Sequence, residues 1–256
     1  MISGNVKIIY EDEELLVIEK PFGLVVNRAD STKSQTLQEI LEEYFRYEQL
    51  GGPGKRAGIV HRLDKDTSGV MLVAKSENSM ANLQLQFKNR EVTKIYTALT
   101  HGFTKKEFKV TLSLARSKAN RLRYSTNKDG RQAETGFVTK AYYQVNPEES
   151  LVIKKRLSKD FWTSYDRFSL VEAYPKTGRT HQIRVHLHSV FAPIVSDEIY
   201  GGRKWLRVDR LWAERMFLHA SKISFKHPES GKVVEFASEL PSSLQGILSK
   251  LVKVEV

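Results

Sequence analysis

The sequence predicts an α+β protein with a mixed, largely antiparallel central sheet and flanking helices. Three observations predict it. Short apolar or alternating runs, rich in β-branched and aromatic residues, recur from Lys7 to Glu172 with few helical patterns between them, whereas a doubly wound parallel sheet needs a helix after nearly every strand. Helical periodicity is confined to a few stretches, each with its own start signal. A chain of 256 residues, 40% of them hydrophobic, can bury a sizeable core as one domain, and residues 1–256 are read as a single domain with an insertion expected at 146–167.

Lys7–Tyr10 and Leu15–Glu19 are apolar runs separated by E-D-E-E, which predicts two strands joined by an acidic turn. In K-P-F-G-L-V-V-N, Pro21 and Gly23 predict a bend leading into another strand at Leu24–Val26. Thr36 and Glu39 stand at capping-box spacing, and Leu37, Ile40, Leu41 and Tyr44 fall on one face, so Thr36–Tyr44 is predicted helical. Gly51–Gly54 breaks that pattern. There follows G-I-V-H-R-L-D-K-D-T-S-G-V-M-L-V-A-K, Gly58–Lys75, a short polar run between two apolar ones. Val70–Ala74 predicts a buried strand, which would hold His61, Arg62, Asp64 and Asp66 at the edge of a core. Taken alone, D-T-S-G is a turn-forming string. Ser76 can cap a second helix whose Met80, Leu83 and Phe87 pack inward.

Val92–Thr100 alternates as a strand, with Val92, Lys94, Tyr96 and Ala98 on one face. Further strands are predicted at Lys109–Leu114, Arg121–Tyr124, Gly136–Val145 and Ser169–Glu172. Asn146–Arg167 combines Pro147 with lysines, Trp162 and acidic residues. It reads either as a hairpin extension meeting nucleic acid through its lysines and Trp162, which is slightly preferred, or as a surface elaboration. Thr180–Ser189 should be a helix with Ile183 and Leu187 facing inward. Pro241 should open a C-terminal amphipathic helix bearing Leu244, Ile247, Leu248 and Leu251.

The formal net charge is +11 and the pI about 9.6, a field that attracts polyanions, with basic clusters at Lys105–Lys109, Arg116–Arg131, Lys154–Lys159 and Arg203–Arg215. Cysteine is absent, which excludes disulfide and thiolate chemistry and any Cys-based zinc site, and His181 and His186 are not at the spacing of a helical metal pair. No metal site is expected. Neither a membrane-length apolar run nor a signal peptide is present, so a cytoplasmic or organelle-matrix location is expected, the cytoplasm foremost.

H-R-L-D followed by T-S-G resembles the signature of the RluA family of RNA pseudouridine synthases. The resemblance extends in order along most of the chain, through Lys94, Tyr96 and Ala98 as K-x-Y-x-A, T-G-R-T-H-Q-I-R-V-H, the A-P-I-V-S-D-E-I-Y-G-G stretch with Ser196 where the family usually has glycine, and F-L-H-A-S-K-I-S-F-K-H-P-E-S-G. It implies the pseudouridine synthase catalytic fold with a central cleft; many members of the family carry a small RNA-binding domain ahead of it, but this sequence begins at the catalytic strands, so no separate N-terminal RNA-binding domain is expected. It also implies that Asp64 is catalytic, that Tyr96 stacks on the target base and that Arg62 occupies the space the base vacates. Arg184 is expected to pair with Asp64 and hold its carboxylate charged and oriented.

The reaction involves no redox change, so no cofactor is expected. The substrate is expected to be ribosomal or transfer RNA, with ribosomal RNA slightly preferred, and the protein a monomer with no obligatory protein partner and no membrane. His219 and His227 are read as structural. Two rival readings stand beside this one. A glycoside hydrolase would need a second carboxylate, for which Asp66 is available, but the positive charge suits RNA better. A catalytically silent RNA-binding module is opposed by the presence of Asp64, Tyr96 and Arg184 together.

Overall fold

In chain order the strands are β1 (Lys7–Glu11), β2 (Leu15–Lys20), β3 (Ser68–Ala74), β4 (Thr93–His101), β5 (Glu107–Arg116), β6 (Tyr124–Thr126), β7 (Arg131–Val145), β8 (Phe168–Pro175), β9 (Leu218–Lys226), β10 (Val233–Ala237) and β11 (Leu251–Val254). The helices are α1 (Leu37–Tyr44), α2 (Glu77–Asn89), α3 (Lys159–Tyr165), α4 (Gln182–Ser189), α5 (Arg203–Asp209) and α6 (Ser242–Leu248). This computed structural model describes residues 2, 5–28, 34–45, 56–117, 120, 123–148, 150 and 158–256. The fold is α+β with largely antiparallel pairing, as expected. The chain forms two compact units, Met1–Ile95 with His219–Glu239, and Tyr96–Leu218 with Leu240–Val256.

In the first unit the acidic turn is built by Asp12, whose Oδ1 accepts the N–H groups of Glu14 and Leu15 at 2.9 and 2.8 Å. It joins β1 to β2 antiparallel, and β2 pairs antiparallel with β3 from Leu15–Ala74 to Lys20–Gly69. All of β3 is buried, which explains its unbroken apolar reading between Gly69 and Ala74. At its start β3 runs parallel to β9, with Ser68 opposite His219 and Gly69 opposite Ala220, and β10 extends β9 antiparallel. Helix α1 has the full capping box, Thr36 accepting from Glu39 N and Glu39 reaching back to Thr36 N. Leu37, Ile40 and Leu41 are buried, but Tyr44 is 38% exposed and donates to Glu11 Oε2. Helix α2 is capped by Ser76, and it buries Leu83 while Met80 and Phe87 are half-buried.

The expected strand at Leu24–Val26 is not formed. The Val25 and Val26 carbonyls instead accept the Leu37 and Gln38 N–H groups at 2.8 and 2.9 Å, satisfying donors that the first turn of α1 leaves open.

The second unit is antiparallel throughout its described pairings. β4 pairs with β8, β8 with β7, β7 with β5 and β5 with β6, and β11 lines the far end of β7. Its core gathers Leu99, Phe137, Tyr165, Phe168, Trp212 and Phe217. Two expectations are corrected here. Residues 159–165 are helical, not part of a hairpin: Ser158 caps α3, and Phe161, Trp162 and Tyr165 pack toward the core at helical spacing. Trp162 is half-buried and packs beside Tyr165, with ring centroids 6.2 Å apart. The C-terminal helix stops at Leu248, and Leu251 opens β11 while sharing the same core as Leu244 and Ile247. The predicted break at Gly51–Gly54, Arg121 at the head of its predicted strand, and Lys154 and Lys155 lie outside the described residues. Among the described residues no helix is long and apolar enough to cross a membrane.

Candidate active site

The polar run His61–Gly69 is fastened at several points within the first unit. Leu63 is buried, 4% exposed, while Arg62 before it is exposed, so the chain enters the loop with one side chain in the core and the next outside. The Asp64 carbonyl accepts the Thr67 N–H at 3.1 Å and closes a turn, as D-T-S-G suggested. The Lys65 carbonyl accepts the Gly23 N–H at 2.9 Å and Lys20 Nζ at 3.1 Å. Lys20 is fully buried, and its ammonium also donates to the Pro21 and Leu24 carbonyls at 2.8 and 2.9 Å. A buried ammonium is tolerable only with its donors used, so this side chain ties the K-P-F-G bend to the residue after Asp64. The bend itself turns at Gly23, where φ is +83°.

His61 holds the other end. Its Nε2 accepts the Leu72 N–H of β3 at 2.9 Å, which places the ring proton on Nδ1. The imidazole stacks on Phe87 of α2 with centroids 4.8 Å apart, and Lys94 Nζ lies 5.9 Å from the centre of the same phenyl ring. Burial, helped by the charge of Lys94, pushes the His61 pKa down to about 3, so the ring is neutral at ordinary pH. Burial likewise lowers the Lys94 pKa. Ser68 and His219 face each other at 2.9 Å between Oγ and Nδ1, and His219 Nε2 donates to the Ser238 carbonyl at 3.0 Å. Both are buried, so this Ser–His pair joins β3 to β9 as structure, in keeping with the reading of His219. His227 bonds Asp12 Oδ2 at 2.8 Å, again a structural contact.

In the second unit the string T-G-R-T-H-Q-I-R-V-H is a device for seating α4. Gln182 Oε1 accepts from Thr177 Oγ1 and the Arg179 N–H, while its Nε2 donates to the Glu134 carbonyl and Thr135 Oγ1 of β7. His186 Nδ1 meets the same Thr135 hydroxyl at 3.0 Å. Burial lowers the His186 pKa to about 4. The seated helix holds Arg184 inside the protein, 3% exposed. Its Nε donates to Asp197 Oδ2 and its Nη2 to Asp197 Oδ1, both at 2.8 Å, a bidentate pair. Asp197 Oδ1 accepts the Ile199 and Tyr200 N–H groups as well. Burial alone would raise the Asp197 pKa, but the bonds and charge of Arg184 and the two main-chain donors outweigh it and hold the carboxyl below its usual range. Tyr96 stands on β4 opposite Ala173 of β8, half-buried and packed against the core.

The structure thus places Arg62 and Asp64 together on one anchored loop of the first unit, with Tyr96 and Arg184 in the second. Lys20 and Asp197 were not picked out from sequence. Asp197 had a signal, as the acidic residue of the A-P-I-V-S-D-E-I-Y-G-G stretch, whereas the partners of Lys20 are main-chain carbonyls that no side-chain pattern announces. Ser196 adopts the left-handed backbone a glycine would favour, with φ +57°. Its N–H donates to buried Asp209 and its Oγ to the Ala213 carbonyl, bonds that offset the strain. Among the described residues no group of histidines and carboxylates could hold a metal ion.

The family of RNA pseudouridylate synthases matches residues 14–189. The ribosomal large subunit pseudouridine synthase D of Zymomonas mobilis subsp. mobilis is 36% identical over 250 residues, covering 96% of this chain and 72% of that protein. The ribosomal large subunit pseudouridine synthase C of Vibrio parahaemolyticus is 34% identical over 250 residues, covering 96% of this chain and 69% of its own length. Among solved structures, human RNA pseudouridylate synthase domain containing 1 superposes with a TM-score of 0.71 at 25% identity, over 98% of this chain and 89% of that one.

Proposed function

The chain belongs to the family of RNA pseudouridylate synthases, isomerases that act on RNA, and from that premise we propose that Asp64 is the catalytic carboxylate of a synthase whose substrate is ribosomal RNA in preference to transfer RNA. The relatives named for the large ribosomal subunit support that substrate. The observation that carries the assignment of Asp64 is the construction of its loop. His61, Leu63, the Asp64–Thr67 turn and the Lys65 carbonyl are each fastened, so the half-buried carboxylate is held by a rigid frame.

The reaction breaks the bond between uracil N1 and the ribose C1′, turns the base, and joins C5 to C1′; the C5 proton is lost and N1 is protonated. One carboxylate beside the sugar suffices. Asp64 acts either as nucleophile at C1′ or as base on the neighbouring ribose proton. The uridine must first leave its stack, at a cost of a few kcal/mol. Arg62 is exposed, as a residue that fills the vacated space must be, and Tyr96 supplies a phenol face for the everted base at roughly 1–3 kcal/mol of stacking. Arg184 is assigned to orient Asp64 and balance its charge. The bidentate bond to Asp197 fixes the guanidinium plane, and a planar fork held in one orientation is suited to orienting a carboxylate.

Tritium release from RNA labelled at uridine C5 tests the assignment. Asp64→Asn is expected to bind RNA with unchanged affinity and release no tritium. Release at the parent rate would remove Asp64 from the chemistry, and a parent protein that binds RNA without releasing tritium would be a binding module.

A further inference from the structure

Tyr200 follows Asp197 closely in the chain and is buried, 3% exposed. Its ring faces guanidinium groups from two separate elements. Arg184 of α4 lies 5.1 Å from the ring centre, and Arg123, in the turn that leads into β6, lies 5.5 Å from it. The hydroxyl accepts the Tyr124 N–H at 2.8 Å and lies 3.0 Å from His181 Nδ1, at the start of α4. Arg123 also donates from Nη2 to the Ile199 carbonyl. On the outer side, Arg116 of β5 sits 5.7 Å over the Tyr124 ring, whose edge meets the His181 ring.

Core packing does not demand this arrangement. Tyr200 shares a small apolar cluster with Leu114, Ala133 and Val185, against which Leu112, Tyr124 and Ile199 pack, and a leucine could also join it. What a leucine lacks is an electron-rich face for two cations and an oxygen for two hydrogen bonds. Two guanidiniums brought to one ring repel each other, and the ring with Asp197 supplies the opposing attraction. The ring face meets the group assigned to Asp64, and the hydroxyl meets the β5–β6 hairpin with its arginines.

We infer that Tyr200 is a positioning residue for the isomerisation: its ring sets the guanidinium of Arg184, and its hydroxyl locks the β5–β6 hairpin to α4, so that the hairpin and the arginine move as one body. The inference rests on the reading of Arg184 as the residue that orients Asp64. It separates two effects in one side chain. Loss of the hydroxyl should loosen the hairpin and weaken RNA engagement, and loss of the ring should misplace Arg184 and slow the chemical step.

Steady-state and single-turnover tritium release on a folded ribosomal RNA fragment, with thermal melts of each variant, tests this. Tyr200→Phe is expected to raise KM about tenfold with kcat within about twofold of the parent, since the ring stays and buried hydrogen bonds are lost. Arg123→Leu, which leaves Tyr200 intact, should raise KM in the same way. Tyr200→Leu should lower the single-turnover rate about tenfold or more at saturating RNA. A Tyr200→Leu protein with the parent single-turnover rate, beside an inactive Arg184→Ala protein, overturns the inference and leaves the reading of Arg184 standing. Arg184→Ala at the parent rate overturns both. Losses in all variants that simply track their melting temperatures also overturn it.

Discussion

Asp197 grips Arg184 by one edge of the guanidinium, Nε to Oδ2 and Nη2 to Oδ1, both at 2.8 Å and both buried. Removing the charge from one member of such a pair leaves the other uncompensated inside the protein. Asp197→Asn is therefore expected to cost about 3–5 kcal/mol in urea unfolding at neutral pH. The acid limb should change as well. The Asp197 pKa is lower in the folded than in the unfolded chain, so its contribution is complete above the unfolded carboxylate value of about 4 and is lost as pH falls through the folded value. The parent should lose stability more steeply than Asp197→Asn below pH 4. Parallel acid limbs would show that the pair carries no such linkage.

Arg62 is exposed between the anchored His61 and the buried Leu63. If its role is to fill the place of an everted base, its loss matters only where a base must be everted. Arg62→Ala should lower kcat/KM on a folded RNA by roughly tenfold to a hundredfold, the equivalent of a few kcal/mol of unstacking, and by much less on a short unpaired RNA with the same target uridine. Equal losses on both substrates would remove the flipping role.

Elements whose own side chains carry their signal were legible in the sequence. Thr36 and Glu39 announced the start of α1, Val70–Ala74 announced a buried strand, and alternation around Tyr96 announced β4. Elements decided by distant partners were not. Val25 and Val26 are β-branched, yet their carbonyls are used by α1, and local propensity yields to that. Leu251 continues a helical stripe in sequence, but the pairing of Leu251 with Val145 draws it into β11. Arg184 taken alone reads as a solvated helix charge. Its burial follows from Asp197 and from the seating of α4 by Gln182, and both depend on contacts far apart in the chain. The motif resemblance supplied what pattern could not, because a signature string records such contacts without displaying them.

Gly69 is five residues beyond Asp64 and sits where β3 meets β9, with φ +120°. A Cβ there would lie 2.2 Å from the Ala220 carbonyl oxygen and 2.6 Å from the Ala220 nitrogen, so main chain and not a mobile side chain would have to give way. Gly69→Ala is expected to destabilise by about 1–3 kcal/mol or more, a fall of several degrees in melting temperature. Because Ser68 also meets His219 at this junction, the displacement should reach the loop and lower kcat beyond the stability loss. A variant with the parent melting temperature would mean that β3 and β9 can separate here at little cost.

His61 fixes a pH dependence that does not involve the reacting carboxylate. Its pKa is about 3 in the folded protein, against about 6.5 for an unfolded histidine, because burial and then the charge of Lys94 disfavour the imidazolium. The unfolded chain therefore binds a proton that the folded chain does not, and stability falls as pH drops from about 6.5 toward 3. Protonation would also add an N–H at Nε2, where the Leu72 N–H now donates, so the charged ring would repel the strand that anchors the loop. Glutamine can accept the Leu72 N–H without titrating. In His61→Gln, proton uptake on unfolding between pH 5 and 6 should fall by about one, leaving the contribution of His186, whose pKa of about 4 gives the same sign. Urea unfolding at a series of pH values measures that slope. An unchanged slope would mean that His61 is already protonated in the folded protein and that the loop bearing Asp64 is held by other contacts.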